Sequence, residues 1–159
     1  MSLEKLFGGD PANLREKQER QRRVAEDLGL PWGERKKTFN SRLAQELGKW
    51  AESKGRGEPF YQAVFRAYFV DGVNISKKEI LIQLAESAGL PGKEAGEVLE
   101  KRKFRREVDA DWDLAHQRGI TAVPTFIIGD RAVVGAQPYE VLETFLLNNG
   151  ARKRSVARS

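Results

Sequence analysis

The stretch Gly119-Ile-Thr-Ala-Val-Pro-Thr-Phe-Ile-Ile-Gly-Asp-Arg-Ala-Val-Val-Gly135 decides the fold, because only here does the hydrophobic pattern become that of β-strands. Val123 to Ile128 and Arg131 to Val134 are rich in β-branched residues. The intervening Gly129-Asp130 suits a two-residue type II′ turn, which needs Gly at its first position. The pattern predicts a β-hairpin. A lone hairpin is marginally stable in water, so this one is expected to need further strands.

The rest of the chain is predicted to be helical. Asp10-Pro11 is typical of a helix start, and Ser76-Lys-Lys-Glu79 has the pattern of a capping box. Apolar residues with helical spacing, bounded by Gly and Pro, predict helices over about 11–28, 38 or 40 to 53, 58–70, 76–88, 91–101, 104–117 and 138–149, and a single turn over 3–7.

The inward faces of these helices follow from the same spacing. The third helix carries aromatic residues on several sides, which favours a position in the core over an aromatic ligand cleft: Phe60, Tyr61, Phe65, Tyr68 and Phe69. Trp112 is predicted to be buried on the sixth helix. On the last helix the inward positions are predicted to be Tyr139, Val141, Leu142, Phe145 and Leu146.

Composition narrows the class of protein. The chain has 159 residues, 40% of them hydrophobic, and no cysteine, which excludes thiol chemistry by this chain alone. No apolar run is long enough to span a membrane and no secretory signal is evident, so a cytoplasmic protein is expected. The net charge of +5 depends on a tail with four basic residues, Arg152, Lys153, Arg154 and Arg158. Removing these four from the 28 basic residues leaves 24 against 23 acidic residues, which argues against a nucleic-acid partner.

The sequence contains no convincing catalytic or metal-binding motif. Asp109-Ala-Asp-Trp-Asp113 begins like a calcium loop, but Leu114 and Ile120 occupy the positions that need Gly and Glu. His116, the single histidine, is expected to stabilise the end of its helix. The basic run 101–106 lacks the aromatic platforms of single-strand binders. No catalytic residue, metal site or cofactor is therefore predicted.

The hairpin stretch resembles the C-terminal signature of the DsbA-like thiol-disulfide oxidoreductases. Within that family it is most similar to the FrnE-like branch. The resemblance is carried by Gly119 to Gly129 and by Val133-Val-Gly-Ala-Gln-Pro138. Upstream, the segments 39–47, 65–75, 81–90 and 110–112 are similar to the helical insertion of that group, and 3–9 to the segment before it.

The resemblance implies a mostly α fold with a small β-hairpin. Residues 1–118 would form a DsbA-type helical domain, 119–150 the C-terminal hairpin and helix of a thioredoxin-like domain, and 151–159 a disordered basic tail. It also implies a cis Val123–Pro124 bond in a loop that binds the substrate backbone, with Val123, Pro124 and Thr125 as substrate-binding residues. Alternatively, Pro124 simply begins a strand.

The sequence departs from the family at its start, where the strand–helix–strand unit with Cys-x-x-Cys is expected. We therefore expect a cysteine-free partial chain of a thiol-disulfide oxidoreductase, inactive by itself, which is either a fragment or a natural half-protein. A second hypothesis is a non-catalytic binding module, in which a homodimer or a partner chain completes the sheet at the hairpin edge. A third is a protein similar to the 2-hydroxychromene-2-carboxylate isomerases.

Overall fold

The helices begin and end close to the positions that the sequence predicts. In this computed structural model the described residues are Ser2 and 11–153. The elements, in order, are α1 Pro11–Asp27, α2 Arg42–Ser53, α3 Gly57–Phe65, a π-helical turn Arg66–Val70, α4 Lys78–Ser87, α5 Gly92–Glu100, α6 Arg105–Gln117, β1 Thr125–Ile128, β2 Arg131–Val134 and α7 Tyr139–Asn148. The predicted mostly α fold with one hairpin is confirmed. The predicted turn over 3–7 and most of the predicted tail lie outside the described residues.

The chain divides into two compact units, Met1–Asp109 and Ala110–Ser159. This division falls inside α6, whereas the predicted boundary at residue 118 follows the end of that helix. The domain boundaries given above stay a prediction. No helix in the described part of the chain is long and apolar enough to cross a membrane.

The first unit is built around a helical core. Helix α2 packs against α3, α4 and α5, and α4 packs against both α3 and α5. The predicted stripe on α2 is confirmed at Leu47, Trp50 and Ala51, which are almost completely buried. The remaining core side chains come from the neighbouring helices and the loops between them: Phe60, Val64, Ile75, Leu81, Ala85, Ala88, Leu90, Ala95, Val98 and Leu99.

One local prediction in this unit is wrong. The Ser76–Glu79 capping box does not form, because the Asn74 side chain accepts hydrogen bonds from both the backbone N–H and the hydroxyl of Ser76, and α4 begins only at Lys78. Asn side chains compete in this way with helix caps. The helix predicted over 58–70 is confirmed, and its last turn after Phe65 is π-helical, with the N–H of Asp71 donating to the C=O of Arg66.

The second unit contains the end of α6, the hairpin and α7. Strands β1 and β2 are antiparallel and pair Thr125 with Val134 and Ile128 with Arg131. The hairpin turn has a positive φ of 60° at Gly129 and not at Asp130, as the predicted type II′ turn requires.

Several apolar side chains of this unit are exposed, contrary to prediction. Trp112 is 48% exposed, and Tyr139, Val141 and Leu146, predicted to face inward on α7, are exposed as well. Leu142 and Phe145 are half-buried. The reason is that the sheet of this unit has only two strands in the described part of the chain, too few to cover a helix.

Candidate functional site

The residues predicted to bind substrate lie together at the start of β1. The Val123–Pro124 peptide bond is cis. Val123 is 88% exposed, Pro124 is exposed and Thr125 is half-buried. The Thr125 hydroxyl donates to the C=O of Ala122 at 2.7 Å, which closes the chain over the two residues between them. The segment therefore presents Val123 outward from a short, internally bonded loop.

The hydrogen-bond pattern of the hairpin shows which backbone groups point away from it. The N–H of Gly135 donates to the C=O of Pro124 at 2.8 Å, so these two residues form a hydrogen-bonded pair. Hydrogen-bonded and non-hydrogen-bonded pairs alternate along antiparallel strands. Phe126 and Ile128 consequently direct their backbone groups toward β2, while Thr125 and Ile127 direct theirs outward.

The outer edge of β1 is open. Over residues 11–153, no backbone hydrogen bond engages the outward groups of Thr125 and Ile127, nor the N–H and C=O of Val123. The outer edge of β2 differs, because the Gln137 side-chain amide donates to the C=O of Val134 at 2.8 Å. An extended chain could therefore add to the β1 edge without displacing an existing hydrogen bond.

The helical unit contains a groove that the sequence did not reveal. It lies between α1 and the loop after it, and Trp32, Arg35, Tyr68 and Phe69 line it. Tyr68 and Phe69 were predicted to be core residues but are half-buried, whereas Phe60 is buried as predicted. The π-helical turn that places Tyr68 and Phe69 has no signature in hydrophobic periodicity, so sequence could not have located the groove.

A buried carboxylate was also missed. The Glu46 side chain accepts hydrogen bonds at 2.6 Å from Nε and Nη2 of Arg102 and at 2.9 Å from Nε of Arg42. Hydrogen bonds from the Arg102 guanidinium hold the pKa of Glu46 below its usual range, with a smaller contribution from Arg42 and despite the opposing effect of burial. Arg42 also contacts Asp109, so the network connects α2 to α6.

Neither this network nor the rest of the described chain forms a metal site. No group of three or more His, Asp or Glu side chains that could hold a metal ion occurs among the described residues. His116 lies in the last turn of α6, as predicted.

A model of the DsbA-like thioredoxin domain matches residues 4–147. The chain belongs to the DsbA-like thioredoxin domain family. The match includes the helical unit as well as the hairpin, so both parts that the sequence resemblance used are part of the family domain.

A relative in sequence and a solved structure show how much of a longer protein this chain matches. YwbO of Bacillus subtilis (strain 168) is 35% identical over 112 residues, which are 70% of this chain and 56% of YwbO. The crystal structure of a probable DsbA oxidoreductase from Streptomyces coelicolor has a TM-score of 0.85 and 27% sequence identity to this chain. The superposition covers 99% of this chain and 69% of that protein. The chain thus spans little more than half the length of YwbO.

Proposed function

We propose that the chain belongs to the FrnE-like branch of the DsbA-like family and takes part in thiol-disulfide exchange by binding an extended protein substrate at Val123, Pro124 and Thr125. The observation that carries this proposal is the set of unpaired backbone groups at the β1 edge, those of Val123 and the outward groups of Thr125 and Ile127. An extended peptide that pairs with such an edge gains main-chain hydrogen bonds whatever its sequence.

The chemical step itself needs a thiolate that attacks a disulfide. Because the 159 residues contain no cysteine, we infer that this chain by itself binds substrate without exchanging disulfides. The cytoplasmic location expected from the sequence is part of the same proposal.

The peptide site is tested by nuclear magnetic resonance on the ¹⁵N-labelled chain, titrated with an unstructured peptide whose cysteine is alkylated. We expect the amide signals of Val123, Thr125 and Ile127 to shift, because the N–H groups of Thr125 and Ile127 point outward and no backbone hydrogen bond in the described residues uses that of Val123. The amides of Phe126 and Ile128 point into the hairpin and serve as internal controls. Equal shifts for both sets, or shifts confined to the helical unit, would contradict the proposal.

A second candidate function is an assembly module, in which the β1 edges of two copies pair to form one four-stranded sheet. Exposed apolar side chains of the same unit, Phe126, Val134, Tyr139 and Leu146, favour association of this unit with another chain. Light scattering at micromolar concentration measures this directly, and a monomer would count against it. No contact in the described residues favours the isomerase alternative.

A further inference from the structure

The groove in the helical unit has the size of a small-molecule site. Its volume is about 860 Å³. Ligand pockets commonly fall between about 300 and 1,000 Å³. One wall is formed by side chains of α1 between Arg15 and Arg22, and the other by the segment after α1, including Trp32 and Arg35, and by Tyr68 and Phe69 of the π-helical turn. None of these residues belongs to the hairpin, so the groove and the proposed peptide site share no residue.

One wall of the groove is aromatic. The rings of Trp32 and Phe69 stack with centroids 5.5 Å apart, and Tyr68 meets Phe69 edge-on at 4.9 Å. The Tyr68 hydroxyl lies 3.0 Å from the hydroxyl of Thr38, which fixes the ring. All three rings are half-buried and line the groove. A planar apolar group that packs against them therefore covers the part of the rings that is still exposed.

Arg35 supplies a positive charge beside this wall. Its guanidinium carbon lies 4.1 Å from the centroid of the Tyr68 ring and 5.3 Å from that of Phe69. The side chain is half-buried, yet in the described chain no carboxylate pairs with it and no hydrogen bond uses its N–H donors. A guanidinium has five donors arranged as a fork that fits a carboxylate. Contact with ring faces leaves those donors available to a ligand.

The charges around the groove favour a singly charged anion. The lining contains Arg15, Arg22, Arg35 and Lys36 and the carboxylates of Glu16, Glu19 and Glu34. Arg22 and Glu19 pair with each other at 2.8 Å, which leaves three cations and two carboxylates. A ligand with one negative charge balances the net charge of +1 that remains. The several negative charges of a polyphosphate would exceed this charge and would also face the carboxylates of Glu16 and Glu34.

We propose that this groove binds a small aromatic monocarboxylate. The carboxylate accepts hydrogen bonds from the guanidinium of Arg35, and the aromatic ring packs on the wall formed by Trp32 and Phe69. The two parts of the ligand thus meet the two chemical features that the groove places side by side.

The test uses naphthalene-2-carboxylate as the probe and naphthalene-2-carboxamide as its neutral match. Titration of the full chain, followed by calorimetry and by ¹⁵N amide shifts, is expected to show binding of the carboxylate with shifts at Trp32, Gly33 and Arg35. The carboxamide is expected to bind about tenfold more weakly or worse, because it loses the charge-assisted hydrogen bonds. Cyclohexanecarboxylate, which keeps the charge and lacks the aromatic ring, is expected to bind more weakly as well.

Variants locate the site. Arg35→Gln is expected to weaken carboxylate binding about tenfold and leave carboxamide binding unchanged, while the exposed Arg66→Gln outside the groove changes neither. Equal binding of carboxylate and carboxamide by the unaltered chain overturns the proposal, and this comparison holds even if Arg35→Gln does not fold. Shifts that map outside the groove, or no binding of any probe at millimolar concentration, overturn it too.

Discussion

Glu46 illustrates how a single residue holds two parts of the helical unit together. It is 1% exposed, yet it is an acid, and its charge is balanced by two arginines from different segments. Arg102 has a positive φ of 49°, a conformation that side chains rarely adopt. The two hydrogen bonds from Arg102 to Glu46 support this turn between α5 and α6, so the carboxylate stabilises a backbone conformation as well as a charge pair.

We predict that Glu46→Gln lowers the free energy of unfolding at pH 7 by about 1.5–3 kcal/mol, since hydrogen bonds to charged groups are each worth about that much. Urea unfolding measures the change. Glu97→Gln on the exposed side of α5 is the matched control and is expected to have little effect.

The same variant carries a pH dependence. Because the folded-state pKa of Glu46 is lowered, its contribution to stability is complete above the unfolded Glu pKa of about 4.3 and is lost as the pH falls through the folded value. The difference between the original chain and Glu46→Gln should therefore shrink in acid. A difference that stays constant from neutral pH to acid would contradict this account.

At the scale of elements, the π-helical turn and the loop before α2 are fitted to each other. The N–H of Gly33 donates to the C=O of Phe69 at 3.0 Å. A Cβ at position 33 would lie 1.8 Å from the C=O oxygen of Val70, which is backbone and cannot rotate away. Only glycine allows this approach, and the approach places Trp32 against Phe69.

We predict that Gly33→Ala destabilises the chain by about 1–3 kcal/mol, the usual cost of overpacking, and separates the loop from the π-helical turn. Urea unfolding gives the stability, and the amide shifts of Trp32 and Phe69 report the separation. Gly96→Ala in α5 is the control, because a Cβ at position 96 would lie at an ordinary contact distance of 3.6 Å from the Ile82 side chain of α4. Alanine should leave that helix as stable or stabilise it by up to about 1 kcal/mol. Equal effects at the two positions would refute the steric argument.

The predictability of these elements depends on how local their causes are. Helices such as α2 and α5 follow from apolar spacing, and the hairpin from Gly129-Asp130 between two β-branched runs, so sequence located them within a few residues. The fit of Gly33 to Val70 and the pairing of Glu46 with Arg102 join residues far apart in the chain. Sequence patterns of a single chain contain no information on such pairs, and for this reason the groove and the buried carboxylate were missed.

The candidate peptide site could be predicted because its residues are neighbours in the sequence. Val123, Pro124 and Thr125 were selected through a family resemblance, and the family is confirmed, but their binding role stays a prediction. The exposure of Tyr139 and Val141 on α7 could not be foreseen, because helical periodicity identifies an apolar face without saying what covers it.

At the scale of the whole molecule, the open β1 edge determines how the chain can associate. If two copies pair through it, an outward N–H at Ile127 takes part, whereas the outward N–H at Ala132 on the other strand does not. Proline removes a backbone N–H and is tolerated at edge positions where that group faces away from the ladder.

For the assembly through the β1 edge proposed above, we therefore predict that Ile127→Pro abolishes association of the chain, while Ala132→Pro leaves it intact. Both substitutions remove one outward donor and no ladder hydrogen bond, so each controls for the other. Light scattering across a concentration series measures the molar mass, and circular dichroism checks the helix content. Loss of association in both variants would show that the two copies do not pair specifically through the β1 edge.

The hydrogen bond from Gln137 to Val134 sets a limit on any such assembly. Pairing of two β1 edges is isologous, with the same patch on both copies related by a two-fold axis, and it uses up that edge in each chain. The edges that remain are the two β2 strands, where the side-chain amide of Gln137 already occupies one outward carbonyl. Growth of the sheet beyond two chains would have to displace this hydrogen bond, so the hairpin that can accept one partner at β1 opposes polymerisation into a fibre at β2.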